Sequence, residues 1–330
     1  MNKARKELLL KYNKLINLDL INQEELLKCT EEEQEIYMGI DTDGILAVLN
    51  AGSDNIAKIK ERLSLDNLRK IKTLSSDDGT TYVNDINMIV SLLSLKDCKD
   101  YKLLISDVLE VSESAMSLTS DFHNDNMKAL YEVITSNEKG ELKEAKTFAI
   151  LMSATKGKVC KTDSGIDYPT TYLEDLEAIK RTDNEDSAYA IGNIMTVPTK
   201  GQWDTRNKYI NVISKCSDYD TIEILTEMAT NYYAIMSDYY EYNLETILSI
   251  GDIEVIHGII ATNEESLESK YHTFNMGNIN ELKSLEIPDE EIIEVLTNKE
   301  SLESGSHMCN VEEFAEKRNK NVKTLRKVLK

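Results

Sequence analysis

The chain is short of the residues that punctuate structure. Three prolines and 13 glycines in 330 residues are too few for the many tight turns of a sheet-rich protein of this length. That points to helices joined by short polar loops. Cysteine is sparse too. Cys29, Cys98, Cys160, Cys216 and Cys309 are odd in number, scattered and never in a CxxC pair. Their spacing supplies neither a disulfide framework nor a zinc site, and a reducing cytoplasm is the expected location. No apolar run approaches the roughly 18 residues of a membrane span, so no membrane association is expected. The opening MNKARKELLLKYNKLINLDL places basic residues before a short apolar patch, but lysines and asparagines interrupt it and no small-residue cleavage site follows. It reads as an amphipathic first helix.

Positive charge is in deficit: 38 Lys and Arg stand against 59 Asp and Glu, a net charge of −21. Phosphate contacts need clustered cations, so a general nucleic-acid-binding surface is disfavoured. One segment departs from this balance. Residues 311–330 carry seven Lys or Arg against three Glu, a local +4 that leaves −25 on the remainder.

The motifs of common catalysis are missing as well. There is no GxxxxGK[ST], no GxGxxG after a strand and no GxSxG, and TKGKVCKTDSG (155–165) lacks the spacing to cradle a phosphate. The acidic runs Glu31–Glu33 and Asp289–Glu291 are expected to be solvated faces or helix starts. His123, His257, His272 and His307 form no HExxH motif. His257 falls in an apolar helix stripe and is expected to be packed and hydrogen-bonded. His272 and His307 are 35 residues apart at equivalent repeat positions, which structural repetition explains, although a paired metal site is the alternative reading. No enzyme, no cofactor and no metal is expected.

What the sequence does contain is a repeat. DNMKALYEVIT (125–135), DSAYAIGNIMT (186–196), DTIEILTEMAT (220–230) and DIEVIHGIIAT (252–262) each place an Asp ten residues before a Thr, and DEEIIEVLT (289–297) is a shorter copy. Asn follows the Thr at 231, 263 and 298. The Asp is expected to cap a helix start and the Asn to end the helix in a left-handed conformation. Between them the apolar residues recur at helical spacing: Ile224, Leu225 and Met228; Ile256, Ile259 and Ile260; Ile292, Ile293, Val295 and Leu296. A further amphipathic stretch precedes each copy, as in YLEDLEAI, NKYINVI, YNLETIL and NINELKSL, so each unit is a pair of antiparallel helices. The Thr-to-Thr distances are 34, 32 and 35 residues. A lone pair cannot bury its stripe, so the copies are expected to stack.

The expected fold is therefore all-α, an α-solenoid of antiparallel helix pairs with a period of about 32–35 residues. The period is similar to that of tetratricopeptide and ankyrin repeats, whose signatures are absent. HEAT-like helix pairs are the architecture it resembles most, over roughly residues 105–310 and in shape class only. The expected organisation is a divergent helical region over 1–104, the array over 105–308 and a basic helix pair over 309–330. TNKESLESGSHMCN (297–310) matches TNEESLESKYHTFN (262–275) in register, His307 upon His272. Its GSHM is thereby read as native, and not as a cloning scar.

Two surfaces follow as candidates. NYYAIMSDYYEYN (231–243) holds Tyr232, Tyr233, Tyr239, Tyr240 and Tyr242, too many for one core. With Trp203 one repeat earlier, they mark a protein-binding face, unless they pack between repeats. The segment 310–330 resembles a helix-turn-helix, with Phe314 and Ala315 on the first helix, Asn319 at the turn, and Leu325 and Val328 on the second. That resemblance implies DNA contacts from Lys320, Lys323, Thr324, Arg326, Lys327 and Lys330. Lys320 departs from the pattern, because the turn position it occupies is normally apolar. The alternative is a polar-faced unit that caps the array.

Sequence reasoning thus expects a non-catalytic scaffold or adaptor that binds another protein. The alternatives are a DNA-associated regulator that uses the tail, or an acidic nucleic-acid mimic that occupies a DNA-binding protein.

Overall fold

The computed structural model describes residues 3–51, 55–75, 79–94, 102–156, 160–161, 167–168, 173–197, 203–236, 244, 247–248, 253–264, 279–300 and 307–328. Among the described residues the regular structure is helical apart from two two-residue strands, Cys160–Lys161 and Asp167–Tyr168, which pair with each other. They lie within 156–172, the longest stretch in which the sequence shows no helical period. No described helix is long and apolar enough to cross a membrane. The chain divides into two compact units, one of Met1–Val159 with Tyr168–Thr196, the other of Cys160–Asp167 with Val197–Lys330.

The first unit comprises α1 (Lys3–Asn17), α2 (Gln23–Lys28), α3 (Glu31–Gly39), α4 (Thr42–Ala51), α5 (Ile56–Arg62), α6 (Leu65–Leu74) and α7 (Thr80–Leu93). It continues with α8 (Lys102–Glu113), α9 (Ala115–Leu118), α10 (His123–Thr135), α11 (Glu141–Leu151), α12 (Leu173–Arg181) and α13 (Glu185–Met195). α11 runs on into a π-helical turn, Met152–Lys156. α7, α8, α10 and α11 pack together, and α11 lies along α13. Leu130, Ile134, Ala145, Ala149, Ile150, Ile191 and Ile194 are sealed between them. Two glycines permit close approach. A Cβ on Gly192 would stand 3.1 Å from the backbone of Ala149, and Gly79, at φ +94, sits against Ile36 where any side chain would collide.

Helix starts are capped from within the sequence. Asn22, Ser64, Ser114 and Asn184 accept bonds from first-turn amides, while Thr30 and Glu33 form a reciprocal capping box. Helix ends are capped from outside it. The last carbonyls of a helix have no partner within it, and glycine, the usual terminator, is scarce here. Side chains of neighbouring helices supply the donors. Lys11 of α1 donates to Met38 O at 2.5 Å and Ile40 O at 2.8 Å, and the Tyr12 hydroxyl donates to Tyr37 O, all at the end of α3. The hydroxyls of Tyr37 (2.7 Å) and Tyr82 donate to Leu63 O and Arg62 O at the end of α5. Lys143 closes α10 through Ile134 O and Ser136 O at 2.7 and 2.9 Å, and Lys146 closes α12 through Lys180 O at 2.9 Å. An ammonium at a helix C-terminus also meets the negative end of the dipole. These bonds fix the ends of α3, α5, α10 and α12 to particular neighbours, so at those ends capping and packing are one event.

The second unit comprises α14 (Trp203–Ile213), α15 (Tyr219–Thr230), α16 (Tyr232–Met236), α17 (Ile253–Thr262), α18 (Ile279–Ser284), α19 (Asp289–Thr297) and α20 (His307–Val328). α14 packs on α15, α15 on α17, α17 on α19, and α18 on α19. The expected apolar stripes are buried: Ile224, Leu225 and Met228 on α15, Ile256, Ile259 and Ile260 on α17, Ile292 and Leu296 on α19. Each such side chain withdrawn from water contributes about 1.5–3 kcal/mol. Ile293 and Val295 are only half-buried.

The recurring polar residues do other work than the sequence suggests. Asp218, not Asp220, caps α15 by accepting from the Thr221 amide at 2.9 Å, and Asn184, not Asp186, caps α13. Asp186, Asp220 and Asp289 lie in first turns, where they face the positive end of the helix dipole. The recurring Thr bonds back to its own last turn: Thr135 to Tyr131 O, Thr230 to Thr226 O and Thr297 to Ile293 O, each at 2.7–2.8 Å. Asn231 and Asn298 are extended, with φ −69 and −62, and not left-handed. Asn231 begins the next helix, because its side-chain oxygen accepts from the amides of Tyr233 and Ala234 at 2.9 and 3.2 Å.

Candidate functional site

Three places gather polar chemistry. The first lies in the core of the first unit and involves a histidine that the sequence leaves isolated. His123, near the start of α10, presents Nδ1 to Ser117 Oγ at 2.8 Å and Nε2 to both Asp85 oxygens at 3.0 and 3.1 Å. Ser117 comes from α9 and Asp85 from α7. An ionised Asp85 carboxylate can only accept, so it takes its bond from a protonated Nε2, and Nδ1 shares the second bond with the Ser117 hydroxyl. Burial pushes the Asp85 carboxyl above the usual carboxylate range, opposed by its bond to His123. The nearby Arg62 guanidinium is buried and reaches Ser112 Oγ at 2.6 Å and Glu113 Oε1 at 3.0 Å, both at the end of α8.

Serine, histidine and aspartate in a chain are the elements of a nucleophilic triad. Here Ser117, His123 and Asp85 are 1, 3 and 1% exposed. No substrate reaches them in this conformation, and their arrangement ties α7, α9 and α10 together. Nothing in the sequence marks the trio: Asp85 stands 38 residues before His123, and no local motif joins them.

The second place is the face between α15 and α17. His257 is 35% exposed and lies against the apolar stripe, with Nδ1 3.4 Å from Glu227 Oε2 and Nε2 3.8 Å from Glu223 Oε2. It is a partly solvated bridge between α15 and α17, where the sequence suggests a packed core residue. Its neighbour Gly258 admits α19, since a Cβ there would meet Ile293 Cδ1 at 2.2 Å. Among the described residues no group of three or more His, Cys, Asp or Glu is arranged to hold a metal ion. His272 lies outside the described residues, so the His272–His307 pair is not tested.

Of the expected protein-binding residues, Tyr232 is 65% exposed and its ring meets Tyr233 edge-on at 5.4 Å. Trp203 begins α14. Tyr239, Tyr240 and Tyr242 lie outside the described residues.

The third place is the tail. The sequence suggests two short helices with a turn at Asn319, but residues 307–328 form one uninterrupted helix, α20. No turn forms because neither Gly nor Pro occurs in 309–328, and intrahelical pairs support the join: Glu313–Lys317 at 2.8 Å and Glu316–Lys320 at 3.5 Å. The helix is held to the unit by buried Val311 and by Arg318, which reaches Glu291 of α19 at 2.5 Å. Beside it a hollow of about 200 Å³ is lined by Glu281, Leu282, Glu312, Ala315, Glu316 and Asn319. Of the expected DNA-contacting residues, Lys320, Lys323 and Lys327 are exposed. Thr324 and Arg326 belong to the same helix, and Lys330 lies outside the described residues.

Compared with known families, curated proteins and solved structures, the chain matches no family model, no curated protein and no solved structure.

Proposed function

We propose that the protein is a non-catalytic helical-repeat scaffold that binds another protein, with its helix pairs stacked as an α-solenoid. The observation that carries this reading is a bond that recurs between successive helix pairs of the second unit. Asn231 Nδ2 donates to Glu264 Oε2 at 3.1 Å, and Asn263 Nδ2 donates to Thr297 O at 3.2 Å. The same residue type, one place after the recurring Thr, reaches across one repeat in the same direction both times. Stacked repeats interact with their neighbours in this way, and their stability is a sum of unit and interface terms. The binding face is assigned to the edge that carries Tyr232 and Tyr233. Aromatic side chains there offer contact area at small entropic cost.

The architecture is tested by deleting residues 231–262, which joins Thr230 to Asn263 and preserves the Thr-Asn punctuation. A solenoid tolerates the loss as a shorter, less stable, still helical and cooperative fold. A globular core collapses. Binding is tested by cross-linking the full chain to its partners in its native cells and repeating the capture with Tyr232→Ala and Tyr233→Ala. Unchanged recovery removes the tyrosine edge from the reading, and a chain that retains no specific partner removes the scaffold.

A further inference from the structure

The charge on α20 is arranged in a way the scaffold reading does not use. From Lys317 to Lys330 the sequence has seven basic residues and no acidic one, which puts −28 on the rest of a chain at −21. Lys317, Lys320, Lys323 and Lys327 are all exposed. At about 100° per residue they fall within a third of the helix circumference, and at a rise of about 1.5 Å they make a stripe about 15 Å long. Lys317 and Lys320 have acidic partners one turn earlier, in Glu313 and Glu316. Lys323 has none: the residues three and four away are Asn319, Lys320, Arg326 and Lys327. Like charges at these spacings destabilise a helix, and a polyanion laid along the stripe would relieve the repulsion.

We propose that this stripe binds the phosphate backbone of double-stranded nucleic acid without reading its sequence. The inference stands whether or not the scaffold reading does. The chemistry of the stripe selects the partner. Protein interfaces are depleted of lysine and centred on aromatic or arginine anchors, whereas the exposed stripe is made of lysines alone, Arg318 is engaged with Glu291, and residues 317–330 contain no aromatic residue. Single-stranded nucleic acid is held by stacking on aromatic rings, which the same absence removes. Lysine ammoniums on one solvated line suit phosphates, which position a protein without specifying a base. The continuity of α20 removes the turn through which a recognition helix is presented to the major groove, so no sequence preference is expected.

The test is fluorescence anisotropy with the full chain and a labelled duplex of random sequence, titrated from low to physiological salt. Binding should weaken with salt at a log–log slope of about −3.6, which is about −0.9 for each of four phosphate contacts. Replacing Lys323→Gln and Lys327→Gln together should flatten the slope by about 2, one unit per contact. Helix content by circular dichroism should stay the same or rise, because repulsion is relieved. No binding at low salt overturns the proposal, as does a slope unchanged by the double substitution. Competition by polyglutamate as strong as by duplex overturns it in favour of an acidic protein partner, and a preference for one duplex sequence overturns the backbone-only mode.

Discussion

His123 and Asp85 sit 38 residues apart in sequence and 3.0 Å apart in space, sealed from solvent between α10 and α7. A buried pair of this kind contributes little beyond an apolar pair of the same shape, yet removing one partner strands the other. Asp85→Leu should therefore cost about 1–3 kcal/mol of unfolding free energy. The combined Asp85→Leu/His123→Leu replacement should cost clearly less than the sum of the two single changes. Chemical denaturation of the four proteins in the cycle checks this, and additive costs would show that the pair is not coupled.

Asp107 on α8 carries a second stability effect, one that depends on pH. Burial, aided by the charge of Glu110, pushes its carboxyl from the ordinary 3.8 up to about 6. The folded state then holds this proton more tightly than the unfolded chain. The stability it contributes is fully present below about pH 3.8 and is lost as pH rises through about 6. Asp107→Asn should remove that slope and raise stability at neutral pH by about 1 kcal/mol, allowing for solvent screening of a half-buried group. Thermal unfolding across this pH range reads the difference, which should vanish at the acid end.

Two glycines should respond differently to the same change. At Gly192 a methyl group meets Ala149 Cα at 3.1 Å and the Phe148 ring at 2.6 Å, so α11 and α13 must separate. Gly192→Ala should cost about 1–3 kcal/mol. At Gly258 the obstacle is Ile293 Cδ1, the end of a flexible side chain, and the gain in helix propensity of about 1 kcal/mol offsets its displacement. Gly258→Ala should be near neutral. Equal costs at the two sites would refute this account of the packing.

Lys143 is buried, and burial lowers its ammonium below the ordinary lysine range. It is kept because it supplies donors to two carbonyls at the end of α10. Lys143→Met preserves the apolar stem and removes the donor, at an expected cost of about 1–3 kcal/mol. Hydrogen exchange should then rise at the end of α10. A variant as stable as the parent would show that water replaces the lysine without loss.

Asn263→Ala tests the bond from the end of α17 to the end of α19 directly. Losing the donor to Thr297 O should cost about 0.5–1.5 kcal/mol and loosen α19 in exchange measurements more than α15. A uniform change across both helices would mean that the bond does not act locally.

Helix positions were legible where local rules decide them. The Asp-to-Thr segments and the apolar stripes of α15, α17 and α19 follow from spacing and side-chain type within a few residues. The turn expected at Asn319 failed for a related reason: Asn permits a break without requiring one, and the glutamate–lysine pairs on either side favour continuity. Similarly, an Asp near a helix start serves the dipole as well as the cap, so its presence did not fix which residue was the cap.

The sequence by itself determined that this chain is helical, where its Asp-to-Thr helices run, and that its charge is segregated into an acidic body and a basic end. These are properties of residue type and period, which act over one or two turns. Only the tertiary structure decided which helix closes which, as when Lys146 ends α12 and Tyr37 ends α5, and it alone brought Asp85 to His123. Those contacts join residues 26–38 positions apart, and their partners are fixed by which carbonyls and carboxylates the packing leaves without water.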